Sequence, residues 1–190
     1  MLICYNKGVF QTGGDFPLML MIPHIRIASR VRQVMERRFD DRLNPLAFAL
    51  GSVFPDILKR TETGYHDVAE AACQTLRYRT KTPRGRWRRS FRLGMICHFA
   101  ADSFCQPHIS RSQYTRRQHV LYEARQCRQL KRSLGQAQRL ALTCSYPAGD
   151  QAMSRFLQDQ QEFASRRRSH RQEAEAVVKG CVMALRGAAG

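Results

Sequence analysis

Trp87-Arg-Arg-Ser-Phe-Arg-Leu-Gly-Met-Ile-Cys-His-Phe-Ala-Ala-Asp-Ser-Phe104 is the stretch on which the fold turns. Phe91, Leu93, Gly94, Ile96, Cys97 and Ala100 leave it apolar nearly all round, the pattern of a helix covered on every side. Yet it carries His98 and Asp102, spaced i,i+4 and therefore on one helical face. Ionisable groups inside an apolar helix need partners, and a metal ion supplies them. The stretch reads as the central helix of an all-α protein, with chemistry on one side.

Working toward the C-terminus, Pro107 ends that helix, and a further one is expected from Gln113 to about Leu134. Ser145-Tyr-Pro-Ala-Gly-Asp150 is a loop, followed by helices over roughly 151–165 and 170–186, the latter carrying Val177, Val178, Val182 and Leu185. Toward the N-terminus, Arg77 to Arg92 holds eight basic residues and no acidic one, with Pro83 and Gly85 inside it. It reads as a basic loop or a flexible lid. His66 to Tyr78 reads as a helix with Val68, Ala71, Ala72 and Leu76 inward. Leu46 to Val53 reads as a short helix ending near Pro55, which puts Asp56 at a helix end or in the loop beyond. The helix from Pro23 to about Arg38 buries Ile27, Val31, Val34 and Met35, with Pro23 in its first turn. There is no strand alternation, no internal repeat and no Gly-rich phosphate loop.

A chain of 190 residues with 43% hydrophobic residues can bury a core as one domain. The expected division is a non-native or disordered extension over 1–20, with translation starting at Met19 or Met21, and one domain over 21–190. Seven cysteines without CxxC spacing read as mostly buried thiols in a reducing compartment. No stretch approaches the ~20 apolar residues of a membrane span, and the Phe16–Ile22 run lacks the frame of a signal peptide. The expected setting is cytoplasmic, peripheral to a membrane at most. A net charge of +17, mostly arginine, favours nucleic acid, an anionic membrane surface or phosphate-bearing substrates. An Arg-rich surface without any partner accounts for the charge as well.

Five of the six histidines join three carboxylates in an ordered series: His24, Asp56, His66, His98, Asp102, His108, His119, Glu123. A lone helical histidine is more often a hydrogen-bonded or surface group than a ligand, and His170, within Arg166-Arg-Arg-Ser-His-Arg171, is set aside as such. The combination reads otherwise. His98/Asp102 and His119/Glu123 are two pairs of the same spacing on adjacent helices, and facing helices of a bundle bring such pairs close enough to share metal ions. Imidazole and carboxylate are ligands for zinc and similar ions.

The series resembles the zinc-dependent phospholipase C family, whose all-helical fold is shared with zinc-dependent single-strand nucleases. The matching residues are Leu50-Gly-Ser-Val-Phe-Pro-Asp56, His66, Leu93-Gly-Met-Ile-Cys-His-Phe-Ala-Ala-Asp-Ser103, Pro107-His108 and His119-Val-Leu-Tyr-Glu123, within about residues 21–125. The closing Glu123, where the nucleases use Asp, leans to the phospholipase branch. The resemblance implies a multi-helix bundle around a multinuclear cleft with two to three zinc ions. It implies that His66, His98 and Asp102 hold the first ion, with Asp56 as fourth ligand or general base. His108, His119 and Glu123 would hold the second; His24 and a bridging Asp102 would help hold a third. Secreted members complete that third site with an N-terminal Trp. No Trp precedes His24 here, the single one being Trp87, so another group completes the site, or the third ion is weak or absent.

The implied chemistry is phosphodiester hydrolysis by a zinc-bound hydroxide, on phospholipid headgroups or related phosphodiesters. Two other functions fit the same sequence. A single-strand nuclease would use the charge, with Tyr78, Trp87 and Phe91 interleaved with arginines to stack bases. A non-catalytic basic helical module would bind nucleic acid or anionic membrane.

Overall fold

The computed structural model describes residues 17–58, 67–109, 116–166 and 169–188. They form eight helices: α1 (Pro17–Phe39), α2 (Pro45–Leu58), α3 (Val68–Thr80), α4 (Arg86–Asp102), α5 (Gln106–Ile109), α6 (Arg116–Thr143), α7 (Gly149–Ala164) and α8 (His170–Ala188). No strand occurs among the described residues, and the architecture is all-α.

Helix α4 is the axis of the bundle. It leaves Gly85, whose φ of 84° is open to glycine at little cost, and every residue from Leu93 to Asp102 is buried. Helices α1, α2, α3 and α8 pack around it, with α6 and α7 closing on α8. The face of α1 that turns inward is Ile27, Ala28, Val31, Val34 and Met35, all buried. Phe104 fills the far side of the core, edge-on to Phe156 and Phe163 at 5.9 and 5.3 Å.

The closest approach is between α2 and α4. A Cβ on Gly51 would stand 2.0 Å from the Phe91 carbonyl oxygen, and one on Gly94 would stand 2.3 Å from that of Phe48. Each position therefore excludes every side chain. The two helices run in the same direction: the Asn44 amide donates to Ser90 Oγ at 2.8 Å near their starts, and the Ser52 carbonyl meets His98 further on. Arg89 anchors the start of α4 by a two-pronged bond to Asp41, at 2.7 Å in each arm. In this partly buried setting the pair contributes about 1–2 kcal/mol.

Several boundaries differ from the sequence expectation, for local reasons. Helix α1 opens at Pro17, not Pro23, so Pro17 takes the first-turn place and Pro23 lies inside. Helix α2 likewise runs through Pro55 to Leu58. A proline inside a helix forfeits one hydrogen bond, at about 3 kcal/mol, and burial of both helices offsets that loss. Leu76 is exposed, at 62%; α3 instead turns Glu70, Ala71, Gln74, Thr75 and Tyr78 inward. The basic stretch Arg77–Arg92 is neither loop nor lid over most of its length, because α3 extends to Thr80 and α4 begins at Arg86. Arginines spread along two helices satisfy their backbone groups within them, leaving only residues 81–85 as a connection. Helix α6 continues to Thr143, past the expected Leu134. Cys97, Cys105 and Cys181 are buried, and Cys73 and Cys144 half-buried.

Candidate metal centre

Three helices deliver side chains to one point. On α1, His24 lies one turn before the buried Ala28 and two before Val31, so the face that builds the core also turns His24 inward. On α2, Phe48, Ser52 and Asp56 follow at i,i+4 intervals, and Asp56 stands in the last turn. On α4, His98 and Asp102 share the face that continues from Gly94. The exclusion of side chains at Gly51 and Gly94 is what lets α2 come close enough for Asp56 to meet them.

His98 is fully buried, and Asp102 nearly so. His98 Nε2 lies 3.2 Å from Asp102 Oδ2 and 3.7 Å from Asp56 Oδ1. His24 Nε2 lies 3.4 Å from Asp102 Oδ1 and 4.0 Å from Asp56 Oδ2. The two imidazole rings are stacked at a tilt, with centroids 4.2 Å apart. His108, on α5, turns Nε2 toward Asp102 Oδ1 at 3.9 Å. Asp102 thus faces three imidazoles.

The second nitrogen of His98 fixes its tautomer. Nδ1 lies 2.9 Å from the Ser52 carbonyl oxygen. A carbonyl can only accept, so Nδ1 carries the proton and donates. In the neutral ring Nε2 then presents a lone pair to two carboxylates. That arrangement is repulsive unless a proton or a cation stands between them.

The donor set fits a metal better than a proton. One shared proton satisfies one pair, whereas His24, Asp56 and His98 each offer a ligand atom and all lie within 4.8 Å of one another. Tetrahedral zinc with bonds of about 2.0–2.1 Å separates its ligand atoms by roughly 3.3–3.4 Å. The 3.2 and 3.4 Å contacts of Asp102 match that edge; the 3.7 to 4.0 Å contacts are too long for hydrogen bonds. His24 Nδ1 is buried and makes no hydrogen bond among the described residues. The structure groups His24 with Asp56 and His98, residues that the resemblance distributes over two ions.

The remaining expected ligands are not among the described side chains. His66 is outside the described residues; His119 and Glu123 fall on α6, but their side chains are outside it too. So is the side chain of His170. Two contributors carry no titratable side chain to the centre: the Ser52 carbonyl that orients His98, and the Gly51–Gly94 crossing. The Leu50–Asp56 and Leu93–Ser103 motifs contain all three, though only the contact between helices shows what they do. Behind the centre, Cys181 Sγ donates to the Cys97 carbonyl at 3.4 Å. Burial, the hydrogen bond with Cys97 and the charge of Asp102 push its thiol well up, so it stays neutral.

The family model described as zinc dependent phospholipase C matches residues 23–181. The match runs beyond the motif-bearing segment to include α6, α7 and most of α8. Neither the curated proteins nor the solved structures contain a match to this chain.

Proposed function

We propose, from the premise that the chain belongs to the zinc-dependent phospholipase C family, that it is a zinc-dependent phosphodiester hydrolase acting on phospholipid headgroups. The observation that carries the reading is the junction of His24, Asp56, His98 and Asp102 from three helices, with nitrogen–oxygen separations of 3.2 to 4.0 Å. Zinc, when bound, supplies positive charge for phosphate oxygens and lowers the pKa of its water to about 7.

The chain's own residues divide the remaining work. Ser52 holds His98 in the tautomer that offers Nε2. Asp102, facing three imidazoles, would help hold more than one of the ions. Asp56 is the more open carboxylate, at 24% side-chain exposure against 6% for Asp102, and so it is the group placed to orient water or take its proton. We assign His66, His98, Asp102 and Asp56 to one ion, His108, His119 and Glu123 to a second, and His24 with Asp102 to a third, giving two to three zinc ions. A cytoplasmic setting, in keeping with seven cysteines that lack a framework spacing, belongs to the same proposal. No helix among the described residues is long and apolar enough to cross a membrane.

The net charge of +17 supports a second reading, hydrolysis of single-stranded nucleic acid. Its stacking surface is thinner than the sequence suggests: Tyr78 is buried, and Phe91 packs edge-on against Phe54 at 4.9 Å. Only Trp87 of the three aromatics stands well exposed. A panel of phosphatidylcholine, phosphatidylglycerol and a single-stranded oligonucleotide separates the two. The expected result is chelator-sensitive release of diacylglycerol from lipid. Cleavage of the oligonucleotide with both lipids untouched would replace the phospholipase reading by the nuclease.

A further inference from the structure

Three large apolar side chains of α2 stand outside both the core and the metal centre. Leu46, Leu50 and Ile57, at i, i+4 and i+11, share one side of the helix as an interrupted stripe over about 16 Å; they are 60%, 44% and 53% exposed, while Val53, at i+7 on the same side, is buried and divides them into two patches. Phe54 meets Phe91 across the α2–α4 contact. One turn earlier on each of these co-directional helices stand Leu50 and Trp87, so the indole, 47% exposed, widens the stripe. Arg86 and Arg88 are the neighbours of Trp87 in sequence, Arg84 lies in the connection just before α4, and all three are exposed. Arg86 donates to the carbonyls of Arg42 and Leu43 at 2.9 and 3.4 Å, which holds the basic end of α4 beside the start of the stripe. No acidic residue occurs between Glu70 and Asp102. At its other end the stripe reaches Ile57, next to Asp56 of the metal centre.

We propose that this face docks on an anionic lipid bilayer, with the α2 stripe and Trp87 in the headgroup layer and Arg84, Arg86 and Arg88 against lipid phosphates. The charge complementarity selects the occupant. Exposed aliphatics beside an interfacial tryptophan, rimmed by arginine, are what an anionic interface accommodates. A polynucleotide would pair the arginines and leave three aliphatic side chains in water. The proposal deepens the hydrolase reading and rests on it for its purpose: a face ending at Asp56 sets the cleft beside the surface that contains the phosphodiesters.

Trp87 is the single tryptophan of the chain, so the emission of the full-length, zinc-loaded protein reports this position directly. Vesicles of phosphatidylcholine with phosphatidylglycerol should shift it to the blue and, when the acyl chains are brominated, quench it; pure phosphatidylcholine should do far less. Leu50→Ser with Ile57→Ser, and separately Arg84→Gln with Arg88→Gln, should each weaken partitioning by about tenfold or more with unchanged helical circular dichroism. The arginine pair, lying outside the core, keeps the test open if the α2 pair fails to fold. Unshifted emission on anionic vesicles, or a shift produced only by a single-stranded oligonucleotide, overturns the proposal. The readout needs no turnover: docking without hydrolysis of any phosphodiester would sink the hydrolase reading alone, and hydrolysis of dispersed lipid without docking would sink this one alone.

Discussion

Asp102→Asn is expected to strip metal from the protein and lower phosphodiester hydrolysis by more than about 100-fold, since loss of an outer-shell partner alone costs about 10- to 100-fold and Asp102 stands among the ligands themselves. The reason is the number of groups that converge on this one carboxylate. Its two oxygens meet His24, His98 and His108 at 3.4, 3.2 and 3.9 Å. An amide keeps the shape but offers one weak acceptor oxygen and turns an NH2 toward imidazole nitrogens. All three rings would then lose the anion that favours a cation between them. The check is zinc per chain by elemental analysis together with turnover on phosphatidylcholine. The fold should persist, because α4 is held by apolar packing along its whole buried length. A variant that keeps both metal and turnover would remove Asp102 from the centre.

Gly94→Ala and Gly51→Ala should each destabilise the protein by at least about 2 kcal/mol. In an open helix position the same change gains up to about 1 kcal/mol, so the sign itself is diagnostic. At Gly94 the new methyl would lie 2.3 Å from the Phe48 carbonyl oxygen and 3.0 Å from the Gly51 Cα; at Gly51 it would lie 2.0 Å from the Phe91 carbonyl oxygen. These are backbone atoms, and only a movement of whole helices relieves the clash. That movement would also pull the Ser52 carbonyl from His98 Nδ1 and carry Asp56 outward, so zinc affinity should fall together with stability. Gly135 on α6 is the control: a Cβ there meets nothing within 4 Å, and Gly135→Ala should leave the protein equally or more stable. Urea denaturation of the three variants measures this.

Much of the arrangement is legible in the chain itself. The apolar run around His98 and Asp102 announces a central helix with ligands on one face, and the i,i+4 spacing is a local property that survives folding. Helix ends are less legible. Pro23 and Pro55 carry a real local penalty, which predicts a boundary at each; packing of α1 and α2 against the bundle outweighs it, and so Asp56 falls inside a helix. Leu76 misleads for a related reason: leucine is apolar wherever it lies, and the register of α3 is set by Ala71, Gln74, Thr75 and Tyr78 together. The Gly51–Gly94 crossing and the Ser52–His98 bond join residues far apart in sequence, so nothing local reveals them. The basic run Arg77–Arg92 shows its charge plainly, whereas the helices that organise it depend on packing with α2 and α8.

The central claim, that imidazoles and carboxylates from α1, α2 and α4 form a metal centre, is tested most directly by the zinc content of the protein purified after zinc-replete expression, alongside His98→Ala. The wild type should hold two to three zinc ions per chain, and the variant, which removes the buried Nε2 between Asp56 and Asp102, should hold fewer. Wild-type protein that is folded yet free of zinc, or a variant that retains the full complement, would contradict it.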